Sequence, residues 1–271
     1  MAETLFAYEP MIRLGIFIGV LLAMALWELA APRRPQYYRR GQRWPHNLLL
    51  VVLDTLAVRL LFPLAAVGVA LMAAEQGWGL FNVISPPMWL GVIISLLVLD
   101  LTIYFQHRLF HALPWLWRLH RVHHADLEFD VTTGLRFHPL EILLSMGIKF
   151  AAVVALGAPA LAVLIFEVVL NASSLFNHGN VRLPAWLDRR LRCFVVTPEM
   201  HRVHHSIEPR ETDSNFGFNL PWWDHLFGTY RAQPAAGHLH MTIGIEDFRS
   251  ARDLRLDRML IQPFRSTPSR G

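Results

Sequence analysis

The sequence has few charged residues and almost no cysteine. Only 17% of its 271 residues are charged, whereas 54% are hydrophobic. A chain of this composition is too apolar for an ordinary water-soluble domain and far too apolar to be disordered. Its single cysteine, Cys193, excludes an intramolecular disulfide framework and a cysteine-rich zinc or iron–sulfur site.

Lysine is nearly absent as well, since Lys149 is the only lysine among 25 basic residues. The formal net charge of +4 is therefore carried by arginine. In so apolar a chain this balance indicates anionic lipid headgroups as partners and argues against nucleic acid. Abundant arginine and alanine beside so little lysine are typical of a GC-rich bacterial genome, so we expect a bacterial inner membrane.

Long apolar runs take the place of a polar surface. Three runs, at residues 11–29, 48–74 and 88–105, are long enough to cross a hydrocarbon core of about 30 Å as helices. A fourth run, at 142–176, is interrupted at 157–159 by Gly-Ala-Pro, which predicts a tight turn between two antiparallel spans. We therefore predict an all-α polytopic membrane protein with about five membrane-embedded helices. A cleaved signal peptide at the first run is disfavoured by its length.

The charges in the loops predict an orientation. Residues 33–43 contain five arginines and no acid, whereas residues 1–10 contain two glutamates and no base. The positive-inside rule then places the N-terminus outside and the arginine-rich loop in the cytoplasm. Continued threading places residues 107–140, and everything after residue 178, on the cytoplasmic side, where we expect a helical cap.

Most histidines fall in those two cytoplasmic regions, at spacings that suit metal ligands. His107 and His111 are four residues apart, and triplets spaced i, i+3 and i+4 occur at 120–124 and again at 201–205. On a helix, such spacings direct the imidazoles of one motif toward one point. An imidazole without a partner is costly beside lipid, so these histidines need a binding partner. The imidazoles in these motifs are too many for one tetrahedral zinc ion. We therefore predict two metal ions.

Imidazole alone does not select the metal, because it binds iron, zinc, copper and nickel. Two lone histidines, His138 and His178, lie at the cytoplasmic ends of the fourth and fifth spans. We expect His46, His238 and His240 to be ordinary surface or core residues. A metal transporter is disfavoured, because its ligands would lie near the middle of the bilayer rather than at one face.

Together these motifs resemble the integral-membrane fatty acid hydroxylase/sterol desaturase superfamily. Its signature is an HxxxH box, an HxxHH box, a lone histidine and a second HxxHH box. The resemblance covers about residues 95–232, between N-terminal membrane helices at 1–94 and a C-terminal tail at 233–271. It implies nine metal ligands, with His138 as a further candidate: His107, His111, His120, His123, His124, His178, His201, His204 and His205. One departure is His225, where members usually carry arginine.

The resemblance implies a non-haem di-iron oxidoreductase of lipid biosynthesis that uses O2 to hydroxylate or desaturate a lipid alkyl chain or sterol. The lipid would come from the bilayer. The sequence shows no flavin fingerprint, haem-binding domain or cysteine cluster. We therefore expect electrons from a separate electron-transfer protein, such as a reductase, ferredoxin or cytochrome.

One acidic residue is a candidate for orienting an imidazole in the helix that carries the first box. Asp100 shares a helix face with Tyr104, His107 and His111. Metal-bound histidines commonly have such a carboxylate partner. The alternative role for Asp100 is an ion pair with a nearby arginine.

A second acidic residue, Glu199, lies two residues before His201 and is a weaker candidate. It also sustains the alternative function, a zinc-dependent membrane lipid hydrolase, which needs a catalytic glutamate beside its ligands. Against that alternative, none of the histidine boxes has the HExxH pattern.

Overall fold

The computed structural model describes residues 8–266, and within that range the chain is helical without strands. The predicted all-α class is confirmed. Residues 1–7 and 267–271, which include much of the acidic N-terminal segment and the end of the predicted tail, lie outside the described residues.

Five candidate spans are found, as predicted, so the chain is an integral membrane protein. They are α1 (Glu9–Ala30), a 45-residue stretch Arg40–Ile84, α5 (Met88–Ala112), α7 (Pro139–Leu156) and α8 (Ala160–Asn177). The stretch Arg40–Ile84 comprises three helices: α2 (Arg40–Leu61), α3 (Ala66–Glu75) and α4 (Leu80–Ile84).

The second span differs from the prediction of one helix at 48–74. The helix begins earlier, at Arg40, and is interrupted between Leu61 and Ala66. Phe62 has an extended backbone, with φ −115° and ψ 109°. The cause is Pro63, because proline disfavours a helical conformation in the residue before it and cannot donate the helical hydrogen bond.

The predicted hairpin between the last two spans is confirmed. Helix α7 ends at Leu156 and α8 begins at Ala160. Gly157 turns the chain with a positive φ of 65°, where a side chain would be strained. A Cβ at this position would also lie 2.9 Å from Asn82 Nδ2. Conformation and space therefore both require glycine at the turn.

The histidine-bearing ends of the spans are covered by a helical cap, which we define as residues 113–138 and 178–266. Its helices are α6 (Pro114–His124), α9 (Ala185–Leu191), α10 (Pro198–His204), α11 (Pro209–Thr212), α12 (Trp222–Leu226), α13 (Gly237–His240) and α14 (Leu256–Ile261). We call the membrane face beneath this cap the histidine side. Its assignment to the cytoplasm stays a prediction.

Buried ionisable side chains attach the cap to the spans. On α1, Glu28 accepts hydrogen bonds from the backbone N–H groups of Val131 (2.7 Å) and Asn180 (2.8 Å). On α2, the fully buried Arg43 binds both carboxylate oxygens of Asp126 and also pairs with Asp130. Such groups are stable away from water only when they are paired, so these contacts fix the cap relative to the membrane helices.

Candidate metal centre

Four elements bring the nine predicted ligands together. The first box lies on α5, whose helix continues past the predicted span so that His107 and His111 are one turn apart. The second box ends α6, and His178 follows α8 directly. The third box lies on α10, whose start is fixed by Pro198 and by a side-chain cap from Thr197.

These histidines form two groups, within each of which the candidate ligand atoms all lie within 4.8 Å of one another. Group 1 contains His107, His111, His120, His124 and His204. Group 2 contains His123, His178, His201 and His205. The arrangement therefore offers two adjacent metal sites formed by nitrogen atoms.

The expectation that each HxxHH box points at one metal is wrong. In the second box, His120 and His124 belong to group 1 and His123 to group 2; the third box reverses this, with His204 in group 1. The reason is helix geometry, because successive residues are about 100° apart around the axis. Positions i and i+4 therefore differ by about 40°, whereas i+3 and i+4 differ by about 100°.

The chemistry of group 2 fits a cation. His178 donates from Nδ1 to the Ser174 carbonyl (2.7 Å), so its Nε2 carries a free lone pair. That Nε2 lies 3.2, 3.0 and 3.2 Å from the Nε2 atoms of His123, His201 and His205. Two nitrogens bound at right angles to one ion, each at about 2.1 Å, are about 3 Å apart. The observed spacing matches that value.

Group 1 shows the same need for a cation. Nε2 of His107, His120 and His204 is buried without a hydrogen-bond partner in the described structure. Leaving a buried polar atom unpaired costs about 1–3 kcal/mol. Three such atoms in one group indicate that a bound ion completes the site.

Burial keeps the cap histidines in the neutral form that binds metal. It lowers the pKa of His120 and of His178 to about 3. For the other five cap ligands, the pKa is held well below its usual value, mainly by burial and to a smaller extent by the neighbouring imidazoles. These five ligands are His123, His124, His201, His204 and His205. No proton then competes for the ligand nitrogens at neutral pH.

Backbone carbonyls orient two ligands of group 1. His107 donates from Nδ1 to the Phe216 carbonyl (2.9 Å), and His204 donates from Nδ1 to the Ser214 carbonyl (2.7 Å). Each bond places the hydrogen on Nδ1 and leaves Nε2 free to bind a metal.

Carboxylates orient two more ligands, and the sequence analysis missed both. Glu141 on α7 lies 2.6 Å from His120 Nδ1, and Asp213 lies 3.1 Å from His111 Nδ1. The available signal for Glu141 was its position as the only acid at the start of an apolar helix. An ionisable residue there is rarely without a function.

Asp100 does not contact an imidazole. It accepts hydrogen bonds from Asn219 Nδ2 (2.8 Å), the Leu220 N–H (3.2 Å) and Trp223 Nε1 (2.8 Å). These residues continue the segment that begins at Phe216, the partner of His107. Any influence of Asp100 on the site is therefore exerted through that segment.

Glu199 is committed to other partners. Its carboxylate lies 2.5 Å from Arg33, 2.9 Å from Arg202 and 2.9 Å from His238. Although burial opposes ionisation, the His238 hydrogen bond and the two arginines hold the pKa of Glu199 well below its usual range. A carboxylate so engaged is poorly suited to be the catalytic base of a hydrolase.

His138 lies outside both groups. Its Nδ1 accepts the Leu140 N–H (3.2 Å) and caps α7, while its Nε2 donates to the Leu260 carbonyl (3.1 Å). One ring nitrogen thus caps the N-terminus of α7 and the other binds the helical cap, which leaves none for a metal.

Replacing Glu141 should weaken metal binding in group 1. Loss of such an orienting carboxylate typically reduces metal affinity about 10- to 100-fold, so we expect this loss for Glu141→Ala. Glu141→Gln should retain most of the affinity, because its amide oxygen can still accept from His120. Competition with a chelator measures the affinity. Equal affinities for Glu141→Ala and the unaltered protein would show that Glu141 does not orient the ligand.

Fold and site together define a membrane-embedded protein with a histidine centre able to hold two metal ions. The fatty acid hydroxylase family model matches residues 92–229, just over half of the chain. This chain belongs to the fatty acid hydroxylase family. The predicted resemblance is thereby confirmed.

Several characterised relatives are lipid-modifying enzymes. Ornithine lipid hydroxylase OlsE of Rhizobium tropici is 30% identical over 228 residues, covering 81% of this chain and 67% of that protein. Human alkylglycerol monooxygenase is 28% identical, covering 58% of this chain and 34% of its own length. Human cholesterol 25-hydroxylase is 31% identical, covering 52% and 51%.

The chain thus spans about two thirds of the first of these relatives, about one third of the second and about half of the third. No solved structure shows a significant match. All three relatives are named as hydroxylases or monooxygenases, which supports the predicted oxidoreductase class and does not favour the zinc hydrolase.

Proposed function

We propose that this protein is a di-iron monooxygenase that hydroxylates an alkyl carbon of a membrane lipid. The observation that carries the proposal is the pair of buried imidazole groups at one membrane face. The named relatives favour hydroxylation over desaturation, because each is a hydroxylase or a monooxygenase.

Group 1 and group 2 would each hold one iron ion. When bound, the two ions supply the redox chemistry that activates O2. The preference for iron over zinc rests on that activity, since zinc has no redox chemistry. The overall reaction converts the lipid C–H bond, O2, two electrons and two protons into the hydroxylated lipid and water.

The chain itself contributes positioning and the exclusion of water. Glu141 and the carbonyls of Ser174, Ser214 and Phe216 fix the imidazole rings. Eight of the nine ligands are buried, so the centre is shielded from bulk water. We propose that Asp100 acts as a positioning residue and that Glu199 helps to secure the cap through its ion pair with Arg33, which lies outside the cap.

The substrate would be a lipid taken laterally from the bilayer, because the centre lies at the ends of membrane helices. The relatives act on an ornithine lipid, an alkylglycerol and cholesterol according to their names, so these define the lipid classes to test. A separate protein would supply the electrons. We further propose a bacterial inner membrane, an outside N-terminus and a cytoplasmic histidine side.

Product analysis tests this function. The iron-loaded protein in nanodiscs, with a ferredoxin and its reductase as donors, should insert one atom from isotopically labelled O2 into a lipid of one of these classes. The matched control is His240→Ala, an exposed histidine outside both groups, which should retain activity.

Two results would contradict the proposal. One is a hydroxylated product that carries oxygen from water instead of O2. The other is release of a fatty acid or headgroup by the zinc-loaded protein without reductant, which is the result expected of a hydrolase.

A further inference from the structure

Part of the cap reaches far down the side of α5. Residues 216–227, which we call the inserted loop, are bound to Asp100 through Asn219, Leu220 and Trp223. Asp100 lies in the middle of α5 (Met88–Ala112), about 8 Å along the axis inside the end of the apolar run at residue 105. The loop therefore lies at the depth of the apolar span rather than above it.

The buried side-chain polar atoms of the inserted loop, except Asn219 Oδ1, have hydrogen-bond partners within the protein. Asp224, fully buried, accepts from the N–H groups of Phe216 (2.8 Å) and Gly217 (2.7 Å). Asn177 donates from its side chain to the Phe218 carbonyl (3.1 Å). Non-helical backbone is tolerated at membrane depth only when its hydrogen bonds are made internally. Asp100 accepts from Asn219, Leu220 and Trp223, so apart from Asn219 Oδ1 the loop meets this condition.

Apart from His225, which stacks on Tyr230, the exposed side chains of the same loop are apolar and uncovered. Trp222 is 44% exposed, Leu226 69% and Phe227 39%. The Phe227 ring packs against Phe105 of α5, with ring centroids 5.1 Å apart, and Phe105 is itself 45% exposed. The apolar face of the loop is thus continuous with the lipid-facing side of a membrane helix.

We propose that the inserted loop enters the bilayer and that its exposed face contacts the acyl chains of the histidine-side leaflet. An apolar face of this kind next to a span is covered by hydrocarbon in a membrane and would be costly in water. From the sequence we expect everything after residue 178 to lie outside the membrane, on the histidine side. The inserted loop is on that same side but enters the bilayer. Through the Phe216 carbonyl and His107, it also joins the lipid to group 1.

A fluorescent label reports the surroundings of the loop directly. In a Cys193→Ser background, an environment-sensitive dye is attached to Leu226→Cys and, as the control, to Glu208→Cys, an exposed acidic position of the cap. The protein is placed in phosphatidylcholine–phosphatidylglycerol nanodiscs. We expect the dye at residue 226 to show blue-shifted emission, strong quenching by lipids with spin labels on their acyl chains, and loss of quenching by iodide. The dye at residue 208 should show the opposite pattern.

Quenching by iodide at residue 226 as strong as at residue 208 would overturn the proposal. Labelling at Trp222→Cys provides a second, independent position on the same face. Adding Asp100→Ala to Leu226→Cys should release the loop and restore quenching by iodide. No change in that double variant, with helical content preserved, would show that Asp100 does not hold the loop in the bilayer. These readouts do not depend on iron or on catalysis.

Discussion

The double variant His123→Ala/His204→Ala should lose nearly all of its bound iron and its activity. The unaltered protein, grown with iron, should hold about two ions per chain, because its ligand number is twice that of one tetrahedral site. The two substitutions remove one imidazole from each group, since His123 belongs to group 2 and His204 to group 1. We expect activity to fall by more than about 100-fold, beyond the effect of losing an orienting partner.

The two single variants distinguish the contributions of group 1 and group 2 to metal binding. His123→Ala should chiefly weaken the site with four histidines, whereas His204→Ala leaves four of five ligands in group 1 and should cost less. Metal content is measured by elemental analysis, with His240→Ala as the control that keeps both ions. One ion or none in the unaltered protein would contradict the two-metal proposal. Zinc after overexpression would not, because imidazole sites accept it readily.

Among the substitutions proposed for this protein, Arg43→Ala should cause the largest decrease in the free energy of unfolding. Arg43, Asp126 and Asp130 are all fully buried, and the arginine is paired with both carboxylates. Deleting one partner of a buried ion pair typically costs about 3–5 kcal/mol, because the remaining charge is left without compensation. Arg43→Ala should therefore lower the free energy of unfolding by this amount, measured by denaturant titration in mixed micelles.

Two further variants show whether charge is the cause. Arg255 pairs with Asp257 at the surface, and Arg255→Ala should leave the unfolding transition unchanged. Adding Asp130→Asn to Arg43→Ala should recover part of the lost stability, since it removes one uncompensated carboxylate. If it recovers none, the loss reflects packing around the arginine side chain rather than charge.

Arg43 also links the membrane helices to the site. Asp126 lies just beyond His124, the last ligand of the second box, so the ion pair fixes the point at which the chain leaves that box. Glu28 and Asp100 act similarly from α1 and α5, by accepting backbone N–H groups of the cap. Three membrane helices thus present buried ionisable side chains that hold the cap over the metal centre.

The sequence determined the features that depend on local spacing and composition. Apolar runs of sufficient length specify spans because the hydrocarbon core has a fixed thickness. Residues 157–159 specify a turn because glycine adopts its positive φ without strain. The box spacings singled out eight of the nine candidate ligands that the structure brings together, and the family resemblance added His178. The apolar pattern also predicted a single helix at 48–74 for the second span, whereas Pro63 interrupts the helix there.

Tertiary structure decided which histidine joins which group, because three helices and a helix end must first converge. The HxxHH boxes look equivalent in sequence, yet their i+3 residues face different groups. It also decided the partners of Glu141 and Asp100, which come from positions distant in the chain. Sequence spacing reports the direction of a side chain around its own helix, whereas ligand sets and buried hydrogen bonds depend on how separate helices pack.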